Sequence, residues 1–143
     1  METLSENTAV AIQHLFRAGA RLEERFGASL GAVHGLSLKD ALLLMHVAHA
    51  EGGRLSRIEL AKRLSVSPST VTRTTLPLEK LGFLGREANA RDARFAYVVL
   101  TRAGRRAVAE AGATFERLSA EVFGAAWKRT DVDALAALLG RLT

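Results

Sequence analysis

Within one short stretch the chain carries Ser67, Ser69, Thr70, Thr72 and Arg73, short hydroxyls followed by a guanidinium. Such side chains suit phosphate oxygens and the base edges of a major groove, with Arg73 able to reach a guanine or a phosphate. A surface selected for solubility alone carries more Lys and Glu. His46 and His49 stand three residues apart, a spacing that can share one helix face and hold a metal. No carboxylate stands beside them, and His14 or His34 could join them only across a subunit interface, so no metal or other cofactor is expected. Enzyme chemistry finds no support either. There is no phosphate-binding loop, no metalloprotease histidine pair at four-residue spacing, and no nucleophile in a recognisable motif. The absence of cysteine excludes thiol catalysis, disulfide scaffolding and cysteine-based sensing.

The position of the charge matters more than its size. Residues 54–94 hold nine Lys/Arg against four acids, which accounts for the whole net charge of +5. The remaining residues balance. Segregation of the entire excess into one segment points to a polyanionic partner. With 143 residues, 48% of them apolar, the chain can build one compact core with surface left for a subunit interface. The opening Met1-Glu2-Thr3-Leu4-Ser5-Glu6 is acidic and polar, unlike a secretory signal, and the most apolar run, Ala41 to Met45, is too short to span a bilayer. A cytoplasmic protein without membrane association is expected.

Elements that could position these residues follow from periodicity and capping. Residues 3–26 place Leu4, Ala11, Ile12, Leu15, Phe16, Leu22 and Phe26 at helical spacing, and Gly27, Gly31 and Gly35 then mark a break. Ser37 can cap a second helix running to about Ala50. Ser56-Arg57-Ile58-Glu59 is a full capping box that opens a short helix to Leu64, with Ile58, Leu60, Ala61 and Leu64 as its buried side. Ser67 caps the next helix, Pro68 takes its first position, and Gly82 stops it after Leu81. Its buried side is Val71 and Leu78 with Thr74 or Thr75, and Pro77 predicts a bend in its C-terminal half. These two helices form a helix-turn-helix.

Phe83–Arg86 and Phe95–Leu100 read as strands of a hairpin whose loop, Glu87 to Arg94, is polar and basic, with one more short strand near Arg54-Leu55. Arg91 there can lie on a phosphate backbone or in water. Asp92 cannot favour a polyanion by charge, and its role is to hold Arg94, Arg91 or Arg86 by a charge-assisted hydrogen bond. Thr101 caps a long helix to about Ala125, and Thr130-Asp131-Val132-Asp133 opens a last one. Tyr97 and Trp127 read as packing residues. The fold class is therefore mainly α with a small β-hairpin wing, a winged helix-turn-helix flanked by N- and C-terminal helices.

Residues 55–104 resemble the MarR family of winged-helix regulators. The likeness is carried by Leu60-Ala61, by Ser67-x-Ser69-Thr70-Val71-Thr72-Arg73 and by Leu78-Glu79-x-x-Gly82-Phe83-Leu84-x-Arg86. It continues in Asp92-x-Arg94 and Leu100-Thr101-x-x-Gly104, and the flanking helices extend it over nearly the whole chain. The resemblance implies one MarR-like domain over 1–143, with a DNA-binding lobe at 37–100 and dimerisation helices at 1–30 and 101–143. It implies that Arg94 reaches a minor groove, supported by Asp92 and Arg86, and that a homodimer binds double-stranded DNA at a pseudo-palindromic operator. It also implies a possible small-molecule effector, often an aromatic acid, bound between the dimerisation helices and the lobe. Operator occupancy can repress or activate. The terminal apolar faces agree with a dimer, because the small winged lobe offers little surface to bury both. A protein-interaction module that binds no DNA is the alternative, favoured by exposed Leu76 and Leu81 and opposed by Arg73, Arg91 and Arg94.

Overall fold

The computed structural model describes residues 5–92 and 94–143; Leu4, counted above among the apolar positions of the first helix, and Ala93 of the wing loop lie outside them. Among the described residues, six α-helices and three strands follow in the order α1 (Ser5–His34), α2 (Leu38–His49), β1 (Arg54–Leu55), α3 (Arg57–Leu64), α4 (Pro68–Lys80), β2 (Leu84–Glu87), β3 (Tyr97–Leu100), α5 (Arg102–Phe123) and α6 (Arg129–Gly140). β3 is the central strand of an antiparallel sheet ordered β1-β3-β2, with Arg54 opposite Val99 and Leu84 opposite Leu100.

Side-chain caps start the helices as their sequences predict. Ser37, Ser56, Ser67 and Thr101 each accept a hydrogen bond from the backbone amide three residues on. At α3 the box is complete, since the Ser56 amide donates to Glu59 Oε2 at 2.8 Å. That bond holds the Glu59 carboxyl below its ordinary pKa. The box is therefore intact at neutral pH, and its contribution is lost as pH falls through the lowered pKa. Replacing Ser56 by Ala should lower stability by about 1 kcal/mol in urea unfolding at neutral pH.

α2 lies at the centre, packed against α1, α3, α5 and β3. Leu43, Leu44 and Val47 from α2 meet Leu60, Val71, Leu78 and Val98 in one core. Thr75 is also fully buried, and its hydroxyl donates to the Thr72 carbonyl, so no buried polar side chain among the described residues lacks a partner. Phe26 meets Phe115 edge-on at 4.8 Å, and His34 Nε2 lies 2.7 Å from Thr114 Oγ1, tying α1 to α5.

Four expectations need correction. α1 does not break at Gly27 or Gly31 but continues to His34, because Phe26 and Leu30 bury themselves along the same face. Burial of one such side chain, about 1.5–3 kcal/mol, outweighs the roughly 1 kcal/mol that a helical glycine costs. Ile58 is exposed rather than buried, since two residues before Leu60 it falls on the opposite side of α3. α6 starts at Arg129, with Lys128 as an N-cap that makes no side-chain bond, so Thr130 lies inside the helix. Trp127 touches Phe123 edge-on yet remains 49% exposed. α4, by contrast, ends where expected: it runs through Pro77 to Lys80, with Leu81 as its C-cap.

Candidate nucleic-acid interface

The turn between α3 and α4 is short because Ser65 closes α3 in the left-handed region, at φ 54°, and Ser67 opens α4 two residues later. Val71, Thr75 and Leu78 then anchor the inner side of α4 in the core. Its N-terminal end and outer side remain in solvent.

Four of the expected contact residues form one hydrogen-bonded cluster there. Ser67 Oγ accepts the Thr70 amide at 3.2 Å and lies 2.9 Å from both Ser69 Oγ and Thr70 Oγ1. Arg73 Nη2 donates to Thr70 Oγ1 at 3.2 Å, which orients the guanidinium along the helix. Thr72 stands apart from this cluster, its hydroxyl donating to the Pro68 carbonyl. Ser69 and Arg73 are exposed, whereas Thr70 and Thr72 are half-buried. A helix N-terminus with free amides, hydroxyls and a cation beside it suits an anionic oxygen.

The wing is organised separately. Asn89 Oδ1 accepts the amides of Arg91 and Asp92, shaping the turn, and the Arg91 side chain is exposed. Asp92 grips Arg94 through both carboxylate oxygens, with Nε at 3.1 Å and Nη2 at 2.9 Å, and also accepts its backbone amide. These bonds hold the Asp92 carboxyl below its ordinary pKa. Phe95 backs the Arg94 guanidinium at 5.7 Å. Of the three arginines open to Asp92, it takes Arg94.

Arg86 goes elsewhere. It forms a two-bond ion pair with Glu79, at 3.1 Å for each bond, joining β2 to α4. Beside it, Arg54 pairs with Glu87 at 2.6 Å and stacks over Tyr97 at 4.8 Å. Arg86 therefore ties the base of the wing to α4 and leaves the tip to Asp92. Glu79, Asn89 and Phe95 are supporting residues that the sequence reading left out. Asn89 alone carried a local signal, as a residue type that accepts its own downstream amides in turns.

His46 is half-buried, and that burial, with Arg63 and His49 nearby, lowers its pKa from the ordinary value. His49 is exposed, and among the described residues no group of three or more potential metal ligands gathers. Away from the sheet, α1, α2 and α5 line an open, solvent-accessible pocket of about 470 Å³. Leu22, Phe26, Leu42, Phe115, Val122 and Phe123 line it, with Glu23, Lys39 and Ser119 as its polar groups. No helix among the described residues is long and apolar enough to cross a membrane.

A helix-turn-helix followed by a hairpin and backed by long flanking helices defines a winged-helix protein. Residues 34–94 match the sequence model of the MarR family, and the described residues share the winged-helix fold of MarR structures. The regulator BldR from Sulfolobus solfataricus superposes with a TM-score of 0.78 at 24% identity, over 99% of both chains. AbsC, a MarR family regulator from Streptomyces coelicolor, gives 0.82 at 20% identity, over 99% of this chain and 95% of that one. Sco3205 from the same organism, a MarR family regulator in complex with DNA, gives 0.84 at 20% identity, over 99% and 89%. No curated protein matches the chain by sequence.

Proposed function

We propose that the protein is a sequence-specific, DNA-binding transcriptional regulator, cytoplasmic and without enzymatic activity. The observation that carries this reading is the Ser67–Ser69–Thr70–Arg73 cluster on the exposed end of α4, within the segment that holds all the excess positive charge. α4 is the recognition helix, Ser67, Ser69, Thr70, Thr72 and Arg73 contact phosphates and base edges, and Arg91 and Arg94 extend the contact from the wing. Sco3205, which shares the fold, is a protein held in complex with DNA.

The unit that binds is a homodimer. Phe16 is 76% exposed and Leu142 66%, and no residue of α6 is buried within one chain. A second copy covering these faces makes residues 1–30 and 101–143 the dimer-forming part and 37–100 the DNA-binding lobe. Two-fold symmetry then presents two recognition helices about one helical turn (~34 Å) apart to a pseudo-palindromic operator. A small, largely apolar effector in the pocket between α1, α2 and α5 would release the DNA by favouring a lobe spacing that mismatches the half-sites.

Selection of duplexes from a random pool, followed by a salt titration, tests the reading. Selected sites should be two-fold symmetric, and affinity should fall steeply with salt. Sites without symmetry would remove the dimer, and salt-insensitive binding would remove the phosphate contacts. Arg94→Ala should weaken all duplexes to a similar degree, with little loss of discrimination and a shallower salt slope. Unchanged affinity would take the wing out of the interface. The exposure of Leu76 and Leu81 favours a second reading, a protein-docking module that binds no DNA, for which the selection would return nothing.

A further inference from the structure

The outer side of α4 is not uniformly polar. At about 100° per residue, Ser69, Arg73, Leu76 and Lys80 fall opposite the buried Val71, Thr75 and Leu78, and all four are exposed. Leu76, 40% exposed, stands in the middle of this stripe, three residues after Arg73 and four before Lys80. Leu81, the other exposed leucine of this region, lies about 140° away around the axis, so the two do not merge into one apolar patch.

We propose that Leu76 is a specificity-determining residue that recognises the 5-methyl group of a thymine in the duplex held by α4, an assignment that rests on the DNA-binding reading above. Three helical residues advance about 4.5 Å, so Leu76 sits roughly one base step beyond the group that Arg73 reaches. The thymine methyl is the apolar feature that a base pair presents in the major groove, and apolar side chains recognise it. The flanking cations decide between a duplex and a protein surface. On a polyanion both Arg73 and Lys80 gain phosphate or base partners while Leu76 covers the methyl. A protein seated on Leu76 would have to desolvate two cations beside a single leucine.

The test uses the full-length protein and the duplex recovered by selection. Each thymine of a half-site is replaced in turn by deoxyuridine, which removes the methyl group and leaves the hydrogen-bonding edge unchanged. At one position per half-site, uracil should weaken wild-type binding about fourfold, the affinity equivalent of one buried methyl group. Leu76→Ala, with its melting temperature checked, should bind the thymine and uracil duplexes alike. Leu76→Ser serves the same comparison if the alanine variant is less stable. A wild type that binds the duplex but is indifferent to uracil at every position overturns the assignment. A uracil penalty that Leu76→Ala keeps in full also overturns it, by placing the methyl against another residue. Failure to recover any duplex defeats DNA binding itself, whereas tight binding without a uracil penalty removes only the role of Leu76.

Discussion

Replacing Gly104 by Ala should cost about 3 kcal/mol of stability, the upper end of what overpacking usually costs. A Cβ at this position would lie 2.0 Å from the Phe83 carbonyl oxygen and 2.9 Å from its carbon. Both atoms are backbone, so no rotamer change relieves the clash. The Phe83 carbonyl is also held in place: it accepts the Thr101 amide at 3.1 Å, while the Thr101 hydroxyl donates to the Gly82 carbonyl and accepts the Gly104 amide. Phe83 lies three residues past the end of α4, and its amide donates back to the Leu78 carbonyl. The first turn of α5 thus clasps the exit of α4, and separating them disturbs the wing and α4 together. Urea unfolding at fixed protein concentration should show a lowered midpoint for Gly104→Ala. Gly85→Ala, whose Cβ would meet Val99 Cγ2 at an ordinary 3.6 Å, should stay within about 1 kcal/mol of the parent. Equal midpoints for the two variants would show that the clasp yields freely.

This clasp also marks the boundary of what one sequence discloses. Local rules recovered the starts of four helices, because a Ser or Thr three residues before an amide it can bind is a signal contained in a single turn. Gly82, at φ 82°, closes the region after α4 for an equally local reason. The glycines of α1 misled because their propensity is local while the burial of Phe26 depends on Phe115 of α5, some ninety residues away in the chain. Ile58 failed differently. Its chemistry suggested burial, yet its angular position around α3 already opposed it.

The candidate site divides along the same line. The Ser67–Arg73 cluster was legible because every bond in it spans four residues or fewer. The Asp92–Arg94 grip was legible as one of three pairings, and spacing within a turn selected it. Arg86 was assigned to the wing without its partner, since Glu79 reaches it only once β2 folds back along α4. The whole arrangement sets the wing tip on its own local chelate and the wing base on a tie to α4. The two basic regions, the end of α4 and the wing tip, thus rest on separate supports.

Arg73→Ala should produce the largest loss of DNA affinity of any single substitution outside the core. The side chain lies near the middle of the outer stripe of α4, and one of its nitrogens is occupied by Thr70 Oγ1. Arg73 is exposed, and the Thr70 bond restrains its guanidinium, so less rotamer freedom is lost on contact. A well-placed arginine–guanine pair contributes about 1–3 kcal/mol of discrimination. In a dimer the substitution enters twice, so affinity for the selected duplex should fall by about 30-fold or more. The salt dependence distinguishes the two possible targets of Arg73. Loss of a base contact relaxes preference at one position per half-site and leaves the salt slope nearly unchanged. Loss of a phosphate contact weakens all duplexes alike and lowers the slope by about 1 per contact. The orientation set by Thr70 favours the base contact, so Thr70→Val should reproduce part of the same relaxation at the same position while retaining the charge. Binding titrations of the parent and both variants on the selected duplex and its single-base variants, at two salt concentrations, measure this directly. An Arg73→Ala protein that still discriminates every position would remove Arg73 from sequence readout and leave it a phosphate clamp.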